Sequence, residues 1–289
     1  MRILFVGVFD NSFRSTNTSQ LLSFKQLGYD VVGYNYRDKA LQIGAMQRDK
    51  HLVETVASGK FDLVVYSKCN EVSYDTFKEI NNLTKTCLWF MDPLISYTEE
   101  MRIKTGLVDY ACFDKDNVLE VAKAINHNSF YVCEGFDSRN DKPHNLLKEN
   151  DVTFIGNLYG QRRNLLNKIR TPVNIVNDAY GSRHSVEVSK SKINLNFCTD
   201  NGASDRIYKV LAAKGFLLTD DWKGREEKFQ NNQHLVIFKD IGELNEKIEF
   251  YLSNPKLAEK IAAAGCKRVQ SFTRLKWAEE IIKKYEEIK

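Results

Sequence analysis

Continuous apolar runs alternate with amphipathic segments along this chain. "RILFVGVF" at residues 2–9 is continuously apolar after Arg2, as expected of a buried parallel strand. "TSQLLSFKQLGYD" follows, with Leu21, Leu22, Phe24 and Leu27 at helical spacing and Gly28 as its stop. "VVGYNY" reads as a second strand and residues 40–58 as a helix. "FDLVVYSK", "KTCLWFMD", "VDYACFD" and "SFYVCEGFD" continue the strands, with helices expected at 74–82, 97–105 and 116–125. This repeated strand–helix rhythm predicts a doubly wound α/β domain.

Residues 138–150, "SRNDKPHNLLKEN", are polar and read as a linker. The rhythm then restarts with the strands "DVTFIGN", "PVNIVND", "KINLNFC", "GFLLTD" and "HLVIFKD". Helices are expected at 160–169, 184–190, 203–214, 241–252, 255–270 and 273–288. The expected fold class is therefore α/β, with two Rossmann-like domains. The expected boundaries are 1–145, 146–272 and a last helix over 273–289. In that helix Trp277, Ile281, Ile282 and Tyr285 share one stripe, the pattern of a solvated helix packing one face. Open α/β sheets take ligands at the carboxyl ends of their strands, so two facing domains would make a two-substrate cleft.

Composition narrows the class. Hydrophobic residues make up 43% of the 289 and only 4 are proline, which argues for real cores over long disordered linkers. Net charge is +4, too small alone to indicate a nucleic-acid binder. It is uneven: residues 1–150 carry 18 Lys+Arg against 20 Asp+Glu, residues 151–289 carry 24 against 18, so an anionic ligand is expected in the second half. The six cysteines are scattered singly and the five histidines show no metal spacing, so no metal is expected. The cysteines read as reduced thiols of a cytoplasmic protein. No stretch approaches the ~20 apolar residues that span a membrane.

The glycines exclude two nucleotide motifs. Gly7 lacks G-x-G-x-x-G spacing and no G-x-x-x-x-G-K-[ST] occurs. In "FIGNLYGQRRNLLNKI", Gly156 and Asn157 turn the chain after a strand, and Arg162 and Arg163 fall in the first turn of the next helix. Cations there oppose the helix dipole unless an anion docks, so they are either surface arginines or anion ligands. "ASDRIYKVLAAKG" repeats the logic: Ser204 or Asp205 caps a helix whose Arg206 and Lys209 share a face. The plain alternative is an amphipathic helix with a basic outer face. On the first half, Asp92 before Pro93 and Asp10 in the polar loop "GVFDNSFRSTNTSQ" end strands. Each is a candidate general base or a turn-forming residue.

The stretches "DVTFIGNLYGQRRNLL", "SKSKINLNF", "SDRIYKVLAAKGFLLTDDWKGREEKF" and "ELNEKIEFYLSNPKLAEKIAAAGCKRV" occur in order over residues 150–275. In this the chain resembles the C-terminal half of spore-maturation-type (CgeB-like) glycosyltransferases, relatives of the retaining enzymes with the GT-B fold. The first half matches weakly, at "LWFMDP". The resemblance implies a nucleotide-sugar donor, such as a UDP-sugar, in the second domain, an acceptor in the first, and a last helix crossing back to the first domain. Gly156 and Asn157 would line the donor loop. Arg162 or Arg163, Arg206 and Lys209 would face the diphosphate, making the reaction metal-independent with no cofactor beyond the donor substrate. Many relatives carry Glu-x7-Glu where this chain has Asn201 and Lys209. The ribose contact would then fall to Asp205 or Glu226.

The expectation is a glycosyltransferase, monomeric or weakly dimeric, moving a hexose or pentose to a hydroxyl. Relatives of this Lys/Asn-rich composition occur in bacteriophages, where acceptors include modified DNA bases and the compartment would be the host cytoplasm; glycan, polypeptide and small-molecule acceptors stay open. The alternatives are a non-catalytic nucleotide- or sugar-binding module and a nucleotide-sugar epimerase.

Overall fold

A computed structural model describes residues 1–289. The chain divides into two compact units: Met1–Glu134 with Arg274–Lys289, and Gly135–Thr273. This boundary precedes the expected 145/146 because the polar stretch read as a linker folds onto the second unit. His144 N–H donates to Ser189 Oγ at 3.2 Å, and Lys148 Nζ to the Ser189 carbonyl oxygen at 2.8 Å.

The first unit holds six parallel strands: β1 (Arg2–Gly7), β2 (Asp30–Asn35), β3 (Leu63–Ser67), β4 (Lys85–Phe90), β5 (Tyr110–Phe113) and β6 (Ser129–Tyr131). Their spatial order is β2-β1-β3-β4-β5-β6. Both faces are covered, which is why the strands read as unbroken apolar runs. The helices are α1 (Thr16–Gln26), α2 (Tyr36–Ile43), α3 (Ala45–Gly59), α4 (Tyr74–Asn81), α5 (Glu99–Gly106) and α6 (Asp116–Lys123). The single helix expected at 40–58 is two, because Gly44 turns at φ +82° and its N–H closes α2 on the Ala40 carbonyl.

The second unit holds β7 (Asn150–Ile155), β8 (Val173–Val176), β9 (Ser191–Asn196), β10 (Leu217–Thr219) and β11 (Val236–Ile237), all parallel, in the order β11-β10-β9-β7-β8. Its helices are α7 (Arg162–Leu166), α8 (Ser182–Ser189), α9 (Asp205–Ala212), α10 (Arg225–Lys228), α11 (Ile241–Ser253) and α12 (Pro255–Val269). Winding reverses between β7 and β9, and a reversal of this kind opens a crevice beyond the carboxyl ends of the two strands. In α9, Ile207, Val210 and Leu211 are buried at helical spacing, so the helix is clamped to the sheet beside that reversal.

The last helix, α13 (Arg274–Ile288), belongs to the first unit and packs on α1. Trp277 is 1% exposed, with its ring 5.2 Å from Phe24, 5.5 Å from Trp89 and 6.1 Å from Phe5. No helix is long and apolar enough to cross a membrane.

Candidate active site

Two guanidiniums bridge the loops that leave β7 and β9. Arg206, in the first turn of α9, donates from Nε to the Ile155 carbonyl oxygen at 2.6 Å and from Nη1 to Asn196 Oδ1 at 2.8 Å. Arg162 donates from Nη1 to the Asn157 carbonyl oxygen, and from Nη2 to the Phe197 carbonyl oxygen and Thr199 Oγ1, each at 3.3 Å. Each arginine therefore ties the end of β7 to the end of β9, across the winding reversal.

The supporting residues fix this arrangement. Asn196 is fully buried. Its Nδ2 donates to Thr219 Oγ1 at 2.9 Å, which turns Oδ1 toward Arg206, and Ser204 Oγ donates to the same oxygen at 3.0 Å. Ser204 is the residue before α9, in extended conformation, and its hydroxyl serves Asn196 rather than capping the helix. Gly156 sits at φ +141°, and a Cβ there would stand 2.4 Å from Arg206 Nη2. Glycine at this position is thus required twice, by backbone conformation and by the close guanidinium.

No carboxylate pairs with either guanidinium; both are satisfied by neutral oxygens. Burial, and then the neighbouring Arg162, push the Arg206 pKa down to about 10, so it stays cationic at neutral pH. The two charges repel one another in a partly desolvated place, and an anion beside them would offset that cost. Tyr159, 59% exposed, lies 4.2 Å from the Arg162 guanidinium carbon and adds an aromatic face to the same loop.

The other residues expected at the site are placed less uniformly. Arg163 is exposed. Asn157 contributes its carbonyl oxygen to Arg162. Lys209 Nζ is ion-paired with Asp205 at 2.9 Å, one turn apart along α9. Glu226 is 88% exposed beside Arg225. On the first unit, Asp92 follows β4, its carboxylate half-exposed and paired with Lys68 Nζ at 2.9 Å.

Asp10, expected as a base, brackets its own loop. Oδ1 accepts from Ser12 N–H, Ser12 Oγ and Arg14 N–H, and Oδ2 accepts from Ser15 N–H at 2.7 Å. Burial acts upward on its pKa, but these hydrogen bonds outweigh it and the net direction is down. A carboxylate so committed is a weak proton acceptor.

Sequence reasoning missed Asn196, and also Phe154, whose ring centroid lies 4.7 Å from the Arg206 guanidinium carbon. The available signal was an amide within the apolar run "KINLNFC", because a buried amide in a strand must be hydrogen-bonded. No group of three or more His, Cys, Asp or Glu side chains is placed to hold a metal ion.

Residues 142–283 match the family described as glycosyl transferase-like. Comparison with curated proteins gives no match. Among solved structures, the chain is similar to HepE from Anabaena in complex with UDP-glucose, at 10% identity over 99% of this chain and 100% of that one, with a TM-score of 0.72. It is likewise similar to a glycosyltransferase from Rickettsia africae, at 13% identity over 99% and 98% of the two chains, TM-score 0.69. An alpha-glucosyltransferase in complex with UDP and a 13-mer DNA superposes over 98% of this chain and 99% of its own, at 10% identity and a TM-score of 0.67. The chain has the GT-B fold of these glycosyltransferases, and its residues 142–283 form a domain similar to the glycosyl transferase-like family.

Proposed function

We propose that the chain moves a sugar from a nucleoside diphosphate donor, a UDP-sugar, to a hydroxyl acceptor. The observation that carries this reading is the pair of guanidiniums spanning the ends of β7 and β9 without a carboxylate partner. Arg162 and Arg206 would hold the diphosphate and neutralise the charge that grows as the glycosidic bond breaks. They act through preset hydrogen bonds, so little reorganisation accompanies the step, and in this reading no metal is needed. Gly156 and Asn157 would line the donor loop. Lys209 would reach the diphosphate by leaving Asp205, which frees that carboxylate for a ribose hydroxyl. The UDP and UDP-glucose complexes of HepE support the donor class.

Asp92 is the proposed base for the acceptor hydroxyl, with Lys68 Nζ paired to its carboxylate at 2.9 Å. A modified base in DNA is one acceptor class, in line with the resemblance to bacteriophage relatives and supported by the alpha-glucosyltransferase bound to DNA. The CgeB-like assignment and a cytoplasmic site of action belong to the same reading.

Thermal unfolding with UDP-glucose tests the donor half. A ligand at a hundred times its dissociation constant adds about 2.7 kcal/mol of stability. The wild type should gain such a shift and Arg206→Ala should not; equal shifts in both proteins would overturn the proposal.

A further inference from the structure

A cavity of about 520 Å³ lies at the opposite pole of the second sheet. Ile193, near the start of β9, and Phe216, just before β10, form its floor, with Tyr251, Ala258 and Ala262 as walls. All five are at most 7% exposed. Parallel strands put this floor at their amino ends, away from the Ile155 and Asn196 edge where the arginines sit. The volume falls within the ~300–1,000 Å³ of small-molecule sites.

The rim is basic. Lys148, Lys192 and Lys214 surround the opening against the single carboxylate of Glu259. Lys192 is ion-paired with Asp151 at 2.7 Å, and Lys148 Nζ donates to the Ser189 carbonyl oxygen. Burial pulls the Lys148 pKa down, with Glu259 acting against it, so this ammonium is incompletely compensated. Lys214, two residues beyond the end of α9, is exposed and forms no ion pair.

An apolar floor beneath unmatched ammonium groups selects against two kinds of ligand. A neutral apolar molecule would desolvate the amines without replacing their water. A bare inorganic anion would leave the floor unused. We infer that this cavity binds a small amphiphilic organic anion, a carboxylate or phosphate monoester on an apolar body, with its head between Lys148 and Lys214 and its body on Phe216 and Ile193. The site is separate from the arginine pair and does not depend on the donor reading.

Calorimetric titration of the full chain with octyl phosphate tests this, with inorganic phosphate and octanol as controls. Octyl phosphate should bind at least about tenfold more tightly than either control, a difference of about 1.4 kcal/mol. Lys214→Glu, at an exposed position, should weaken binding by at least the same factor, and Arg206→Ala should leave it unchanged. The proposal is overturned if octyl phosphate does not saturate, if inorganic phosphate binds equally well, or if Lys214→Glu has no effect. Loss of binding in Arg206→Ala would overturn it too, by placing the anion among the guanidiniums.

Discussion

Arg162 and Arg206 lie over the same aromatic ring: their guanidinium carbons stand 5.9 and 4.7 Å from the centroid of Phe154. A ring face attracts cations, so Phe154 eases the approach of two like charges that water would otherwise separate. The sharing also fixes direction, because each guanidinium plane is further set by the carbonyl oxygens it meets.

Arg206→Ala is expected to lower the transfer rate by about 10²–10³-fold, the usual loss when one preset donor to a developing charge is removed. Arg206→Lys should recover little of it. A lysine restores the charge, but one ammonium on a flexible stem cannot replace the planar fork that meets Ile155 and Asn196 together. Steady-state kinetics with UDP-glucose would check both; near wild-type rates in Arg206→Lys would show that charge alone suffices.

Gly156→Ala is expected to act through Arg206. The added methyl meets Nη2 at 2.4 Å and the backbone at φ +141° disfavours any side chain, so the fold should lose about 1–3 kcal/mol. Donor affinity should fall as the guanidinium is displaced. Combined with Arg206→Ala, the stability losses should be less than additive, because the clash partner has gone. Strict additivity in denaturant melts would count against this account.

Much of this was legible in the sequence, and the gaps have physical causes. The parallel strands announced themselves because both faces of each sheet are covered, leaving no polar alternation. The helix over 203–214 was readable from Ile207, Val210 and Leu211, and so was the place of Arg206 in its first turn. Arg162 and Arg163 could not be told apart, since which one turns inward depends on Phe197 and Thr199, more than thirty residues away. Asp10 stayed open between base and turn residue for a similar reason: a strand-ending aspartate looks the same whether its oxygens are free or bound by the loop that follows. The ion pair of Lys209 with Asp205 was available from their i,i+4 spacing, and the basic face drew attention away from it.

Asp114, 5% exposed after β5, gives the first unit a pH dependence. Burial pushes its pKa up to about 8, with Lys115 pulling down and Glu134 and Asp92 pushing further up. Between about pH 4 and pH 8 the folded chain retains a proton that the unfolded chain releases. Stability should therefore decline as pH rises through that window and level off above it. Asp114→Asn cannot titrate, so its denaturation midpoint should decline less between pH 5 and 8. Parallel curves for the two proteins would contradict the assignment.

Trp277→Ala should cost about 3–5 kcal/mol, the range for emptying a buried aromatic site. Trp277→Phe should cost less than about 1.5 kcal/mol. The indole N–H is buried without a hydrogen-bond partner, so its removal leaves no bond to lose. Urea melts would separate the two, and equal losses would point to a partner for that N–H.

The placement of Trp277 also bears on how the protein is made. Phe5, Phe24 and Trp89 reach the ribosome exit early, but the helix that closes over them is translated only after all of Gly135–Thr273. The later-made unit, being one unbroken stretch, can finish its core while the earlier one still holds an open aromatic face. Nascent chains stalled before Arg274 would therefore present that face to chaperones, and the order of completion would run against the order of synthesis.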